Sequence, residues 1–433
     1  MSTSSKKLVE FLFLETITTL EQSGWYDFIK SYYKNSILPQ QIVDLLYILA
    51  DFHSFIFQKK VCKDLRKHLD TPKTLLFQDT HLFKDIIKFI GTYRNKRFQI
   101  LLWTNIKDFL FSMNHSHKKF KIRKIWIPPI SLKYNGILYF KKNFKKYYNI
   151  SFIEKIKRKI NKLEQIISRY SPNAIILRTD SFPIDRAIIL IARELNIPTI
   201  NVQDGIYQSM YPLVHGRAAD YVFVLGEYFK HLYLKQKIRS SKTIKILGYP
   251  YELQPLPQNT KKQKLTVYYL GQNFEAYNKE LLKTKIKTVN TLNKICKKYG
   301  FEFIYRPHPG DSRKFLQKKL PNVNFAPKNE TLWGSFKRGD IFISFNSTAL
   351  IEAALHGKLC IQLKSYPLPT DDFEKLGICP KSFDTLEDLE EYLKEIAKAE
   401  DLKQFYKPVN PKYIEIPKPD PGEKFLELVQ DII

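Results

Sequence analysis

Two short stretches hold the residue types that a phosphate-bearing ligand would need. Arg306-Pro307-His308-Pro309-Gly310 follows the mostly apolar run Phe301 to Tyr305. Two prolines and a glycine end any strand there. They leave a rigid loop that presents an arginine and a histidine. The second stretch is the apolar Asp340 to Phe345, then Asn346-Ser347-Thr348, then the helical pattern Ala349 to Leu355, closed by His356-Gly357. A hydroxyl-rich turn opening a helix offers backbone N–H groups and the positive end of the helix dipole to an anion. In an α/β sheet both loops would lie past the carboxyl ends of strands, where ligands bind.

Each of these residues also has a plain structural use. Asn346, Ser347 or Thr348 would cap the helix equally well. Glu352, one turn further in, reads as a ligand for a ribose or sugar hydroxyl or as an ordinary helix-face acid. Gly271, where the strand Leu265 to Leu270 ends, joins the candidate donor set with Arg306, His308, Ser347, Thr348 and Glu352. Earlier in the chain, Gln203-Asp204-Gly205 follows the strand Thr199 to Val202. Asp204 would serve as a general base for an acceptor hydroxyl, or simply as part of an Asp-Gly turn. His215 is a second candidate base. Arg178 and Asp180, past the strand Ala174 to Leu177, are candidate acceptor contacts or solvated strand-end charges.

The elements that would carry these residues alternate regularly from Phe152 onward. Helix Phe152 to Tyr170, strand 174–177, helix Ile184 to Leu195, strand 199–202, strand Ala219 to Gly226, a helix from Glu227 and strand Ile244 to Gly248 follow with short connections. Tyr249 to Gln258 carries Pro250, Pro255 and Pro257 and has no periodicity, so a boundary is placed there. The pattern restarts with a basic helix Lys279 to Lys298, the two loops above, strand Leu359 to Leu363 and helix Leu386 to Ala399. Lys407 to Pro421 reads as extended, and Phe425 to Ile433 as a last helix. Before Phe152 the expected elements are a strand Lys7 to Thr16, helices Leu20 to Tyr33 and Ile42 to Lys59, and strands Thr74 to Phe77, Phe98 to Trp103 and Ile125 to Ile127. Strands alternating with helices imply parallel βαβ units. The expected fold class is therefore α/β, of the GT-B type: two Rossmann-like domains facing across a cleft. The division is 1–255 for an N-terminal acceptor domain, 256–410 for a C-terminal nucleotide-sugar domain, and 411–433 for a tail and helix returning to the first.

Bulk properties narrow the function classes. A chain of 433 residues is too long for one ordinary core. No apolar run reaches the ~18 residues of a transmembrane helix, and no signal peptide is read. Cys62, Cys296, Cys360 and Cys379 are scattered, which suits a reducing compartment. The nine histidines show no metal-binding spacing, so no metal site is expected. There are 71 Lys+Arg against 43 Asp+Glu, formally +28. Nucleic acid, an anionic membrane surface and a Lys-rich composition without function all fit that number. Lys118 to Lys124 and Lys141 to Tyr148 interleave lysines with aromatics and suit lipid headgroups or an acidic polymer.

Together, Gln203-Asp204-Gly205, Arg306-Pro307-His308-Pro309 and Ser347-Thr348 resemble the three short motifs of bacterial sialyltransferases and polysialyltransferases. More loosely they are similar to the capsule-polysaccharide and Kdo transferases of GT-B fold, and the Arg-Pro-His-Pro also to teichoic-acid glycerophosphotransferases. The resemblance covers roughly residues 174–365. It implies an inverting, metal-independent, cofactor-free transfer from a CMP-activated acidic sugar to a glycan or lipid-linked glycan, at the cytoplasmic face of the membrane and without nucleic acid. Asp204 would be the base, and His308, Ser347 and Thr348 would hold the nucleotide phosphate. The family pattern has two acids before the glycine, whereas Gln203 stands at the first position here. A UDP- or GDP-sugar donor, CDP-glycerol, or a non-catalytic polyanion-binding role are the alternatives.

Overall fold

The computed structural model describes residues 73–77, 98–104, 122–126, 150–181, 183–203, 215–251, 253, 264–274, 280–418 and 420–433. The elements expected over Lys7 to Thr16, Leu20 to Tyr33 and Ile42 to Lys59, the basic run 141–148, and Asp204 with Gly205 lie outside them. The chain divides into two compact units, one of residues 1–252 with 415–433, the other of residues 253–414.

The first unit is built on seven parallel strands: β1 (Lys73–Phe77), β2 (Phe98–Thr104), β3 (Ile122–Trp126), β4 (Ala174–Leu177), β5 (Thr199–Val202), β6 (Tyr221–Val224) and β7 (Ile244–Ile246). Their order across the sheet is β3-β2-β1-β4-β5-β6-β7. The central strands are covered on both faces, which is why Ala-Ile-Ile-Leu runs without alternation and is buried at every position. The strand expected at Ile125 begins at Ile122, so the end of the basic run 118–124 is built into an edge strand. Helices α1 (Ile150–Tyr170), α2 (Pro183–Glu194) and α3 (Glu227–Lys235) belong to this unit.

The second unit holds five parallel strands, β8 (Thr266–Leu270), β9 (Glu302–Arg306), β10 (Ile341–Ser344), β11 (Leu359–Leu363) and β12 (Lys381–Phe383), in the order β12-β11-β10-β8-β9. Its helices are α4 (Glu280–Lys298), α5 (Arg313–Lys319), α6 (Leu332–Arg338), α7 (Thr348–Leu355) and α8 (Leu386–Lys398). Val267, Tyr269, Phe303, Tyr305, Ile343 and Ile361 form its core with Val289 and Leu292 of α4 and Leu389 and Leu393 of α8.

The last helix, α9 (Pro421–Gln430), starts four residues before the expected Phe425. Asp420 caps it, accepting from the Gly422 and Glu423 N–H groups at 2.7 and 3.1 Å. Proline at the first helical position carries no N–H to orphan, so Pro421 opens the helix. Phe425, Leu426, Leu428 and Val429 then join Leu75, Phe77, Ile176 and Phe223 in the core of the first unit. Glu415 ties the preceding segment to that unit: its N–H donates to Leu225 O and its carbonyl accepts from Tyr249 N–H.

In both sheets the chain leaves one central strand in two directions. β1 runs outward to β2 and β3, and β4 starts the other half. β8 is flanked by β9 on one side and β10 on the other. These reversals are the topological switch points at which open α/β sheets bind ligands. No helix among the described residues is long and apolar enough to cross a membrane.

Candidate functional site

The switch point of the second sheet gathers most of the residues that the sequence singles out. The His308 loop leaves β9, Gly271 ends β8, and Ser347 follows β10. The His308 loop is fastened by five hydrogen bonds. Gly310 N–H donates to His308 Nδ1 at 3.0 Å. Asp311 N–H donates to the His308 carbonyl at 2.9 Å. The His308 N–H donates to Asp311 Oδ2 at 3.0 Å. Lys285, on α4, grips both oxygens of Asp311 at 3.0 and 3.1 Å, with both side chains fully buried. His308 itself is exposed. A Cβ at Gly310 would come 2.7 Å from Asn273 Nδ2 and 3.2 Å from His308 Nδ1, so a side chain there would press on the end of the Asn273 side chain and on the imidazole.

Arg306 is spent differently. Its Nη1 donates to the Glu330 carbonyl at 3.1 Å and to Ser335 Oγ at 2.9 Å, and lies 3.6 Å from the Glu330 carboxylate. Glu330 also accepts from Tyr268 and Ser335. Arg306 thus ties β9 to α6, and the structure gives this side chain a bracing duty. Gly271 likewise has a packing reason: an added Cβ would lie 2.8 Å from Tyr305 Oη and 2.9 Å from its Cε2. Its N–H extends the sheet by donating to Arg306 O at 2.9 Å.

Ser347 is the N-cap of α7, and its Oγ accepts from Ala349 N–H at 3.2 Å. Thr348 is the first helical residue. The turn before them is braced from both sides. Ser344 Oγ donates to Leu270 O at 2.8 Å across β10 and β8. Gln362 Nε2 donates to Phe345 O at 3.0 Å and to Asp371 O at 2.9 Å. Phe274, Phe345 and Tyr366 meet edge to face, with ring centroids 4.9 to 5.4 Å apart. Glu352, one turn into α7, is half-buried, and burial lifts its carboxyl to about 7. At the end of α7, His356 Nδ1 donates to Glu352 O at 2.8 Å and packs on Trp333 and Phe336, and burial lowers its affinity for a proton.

In the first unit, the switch point between β1 and β4 carries Arg178, Asp180 and His215. Arg178 is exposed. Asp180 is 1% exposed and accepts from the N–H groups of Gly216, Ala218 and Ala219 at 2.8, 2.6 and 3.0 Å. Its carboxylate is therefore a clasp for the segment that follows His215. Arg239 holds the same segment by donating to the Gly216 and Asp220 carbonyls. His215 Nδ1 lies 3.2 Å from Ser181 Oγ, and its carbonyl accepts from Tyr233 Oη at 2.8 Å. Burial, and then the Asp180 charge, push the Tyr233 phenol well above its ordinary range, which keeps it a donor. Gln203 is fully buried, and its side-chain oxygen accepts from Leu225 N–H at 3.1 Å. The residue standing at the first acidic position of the family pattern is thus part of the sheet edge.

Sequence reading missed Lys285 and Asp311. A signal existed: Lys285 shares the buried face of α4 with Leu281, Thr288, Val289 and Leu292, a place where a lysine needs a partner. Among the described residues no group of three His, Cys, Asp or Glu is arranged to hold a metal ion.

No protein-family model matches the chain, and no curated protein matches it. Solved structures do match. UDP-GlcNAc 2-epimerase from Neisseria meningitidis, bound to UDP-GlcNAc, aligns with a TM-score of 0.51 at 14% identity, over 84% of this chain and 99% of that one. A putative UDP-N-acetylglucosamine 2-epimerase from Listeria monocytogenes gives 0.53 at 11%, over 84% and 96%. UGT89C1 of Arabidopsis thaliana gives 0.51 at 13%, over 84% and 99%. The fold is GT-B. At these identities the likeness concerns the fold alone, and GT-B proteins reach it with two parallel α/β sheets such as those described above.

Proposed function

We propose that the chain is an inverting, metal-independent glycosyltransferase that moves a CMP-activated acidic sugar onto a surface glycan or lipid-linked glycan. The observation that carries this reading is placement: the His308 loop after β9 and the Ser347-capped start of α7 after β10 lie on the two sides of β8. The GT-B fold and the triad of short motifs support it. In this reading the donor phosphate accepts from His308 and from Ser347 or Thr348. Negative charge develops on that phosphate as the bond to the anomeric carbon breaks, so fixed donors there favour the transition state. Arg306, Gly271 and Glu352 shape the donor site, Arg306 through its hold on α6.

The acceptor hydroxyl gives its proton to a base as its oxygen attacks the anomeric carbon. Asp204 or His215 takes that part, Arg178 meets the acceptor, and Asp180 positions the His215 segment. Gln203, already bonded to Leu225, is not a substitute for the missing acid. The basic N-terminal half suits an anionic acceptor or the inner membrane face.

A UDP-sugar donor is the second reading, favoured by the fold neighbours solved with UDP-GlcNAc bound. Thermal stabilisation by CMP, CDP, UDP and GDP at matched ionic strength separates the two. Binding to the folded state alone raises stability by RT ln(1 + [L]/Kd). CMP selectivity is the expected result, a UDP shift favours the second reading, and no shift with any nucleotide overturns both. His308→Ala is expected to remain folded and to lose turnover. Wild-type transfer by that variant would refute the donor site.

A further inference from the structure

We propose that Lys285 and Asp311 are positioning residues for His308, holding its loop in the arrangement that makes the imidazole an Nε2–H donor. The proposal deepens the reading of this loop as the donor-phosphate site and rests on it.

The geometry begins at Nδ1. The Gly310 N–H points at it from 3.0 Å. An N–H can only donate, so Nδ1 accepts with its lone pair, and the neutral ring then carries its proton on Nε2. That tautomer depends on Gly310 keeping its place relative to the ring. Asp311 sets the place. It grips the His308 N–H with Oδ2 and donates its own N–H to the His308 carbonyl, which closes residues 308–311 into one tight turn. Lys285 then fixes Asp311 to α4 through both oxygens, beneath an exposed histidine.

Stability alone is a poor reason for such a pair. Burying two charges costs desolvation, and apolar side chains of similar volume usually do as well or better. What an apolar pair lacks is an acceptor for the His308 N–H and a fixed direction for it. A loop outlined by two prolines still has a free choice of imidazole tautomer. The pair removes that choice through the backbone.

The test uses the full chain with 15N-labelled histidine, its His308 signal identified by its loss in His308→Gln. The wild type is expected to show a protonated Nε2 and an unprotonated Nδ1. The double variant Lys285→Met/Asp311→Leu removes both charges and the acceptor. It is expected to show a mixture of tautomers and to bind CMP or UDP, whichever the wild type binds, about tenfold more weakly or worse, since one oriented donor is lost. Lys285→Met/Asp311→Asn keeps an acceptor for the His308 N–H and is expected to recover both signals. Two results would overturn the proposal. One is a wild-type His308 protonated at Nδ1 or mixed, which needs no variant to fold. The other is an unchanged tautomer and affinity in the Met/Leu variant. If the tautomer responds as expected but the wild type binds no nucleotide, the donor-site reading fails while the positioning by the pair stands.

Discussion

Glu352→Gln is a measurement whose size follows from the burial of one carboxyl group. In the folded chain burial pushes the Glu352 carboxyl up to about 7, from an ordinary value near 4.5, because its charged form loses solvation. The folded state therefore holds this proton more tightly than the unfolded state. The resulting stability is fully present below about 4.5 and is lost as pH rises to and through about 7. The difference corresponds to roughly 3 kcal/mol. Since Glu352 is only half-buried, solvent screening brings the expected figure to about 2 kcal/mol. Glutamine binds no proton, so the variant should lose this slope. At pH 8.5 it is expected to be more stable than the wild type by about 2 kcal/mol, or on the order of 4–8 °C in melting temperature for a unit of this size. At pH 5 the two should agree to about 1 kcal/mol or better. Paired melting curves across pH 5 to 8.5 decide it. A constant offset between variant and wild type over that range would show that burial does not hold the proton on Glu352. The same proton bears on ligand binding. An ionised Glu352 one turn beneath Ser347 opposes an anion, so the pH dependence of nucleotide affinity should flatten in the variant.

Asp180→Asn takes the charge from all three bonds and sets an amide NH2 against at least one of the buried N–H donors, a loss of about 2–3 kcal/mol confined to the clasp. Faster hydrogen exchange at Gly216, Ala218 and Ala219 is expected, and unchanged protection there would contradict the clasp. Gly271→Ala drives a methyl group into the Tyr305 ring and should lower the melting temperature of the second unit, at a cost of about 1–3 kcal/mol. A variant as stable as the wild type would mean that the ring gives way freely. Phe425→Ala removes a ring lying 5.7 Å from Phe77 and 5.8 Å from Phe223, and is expected to cost about 3–5 kcal/mol. Calorimetry should show the loss in the first unit, and a transition left in place would argue against that core.

The strands from Ala174 onward were legible because parallel strands buried on both faces leave unbroken apolar runs, as in Ala174 to Leu177 and Leu359 to Leu363. β12 was not, being three residues at a sheet edge with none buried. α5 and α6 were missed for a related reason: each has seven residues and one or two buried side chains, too few for a period to emerge. The loop at His308 was readable from its prolines, and Ser347 from its place ahead of a helix. The duties of Arg306 and Gly271 were not, since both depend on partners far along the chain, Glu330 and Ser335 for one and Tyr305 for the other. Lys285 passed as one more lysine of a basic helix, although its spacing from Leu281, Val289 and Leu292 sets it on the apolar face; what the sequence does not give is its partner, Asp311, which lies 26 residues further on.

The core of the first unit draws on residues translated after the whole of the second. Leu75, Phe77, Ile176 and Phe223 leave the ribosome early, and Phe425 and Val429 reach them only after residues 253–414 have been made. Domains usually complete themselves in order of synthesis. Here the contiguous second unit can close its core first, while the earlier sheet waits with part of its apolar surface uncovered. For that interval the nascent chain offers greasy surface to chaperones and to neighbouring chains on the same message. A transcript cut short anywhere before the codon for Phe425 would yield a product in which that wait never ends.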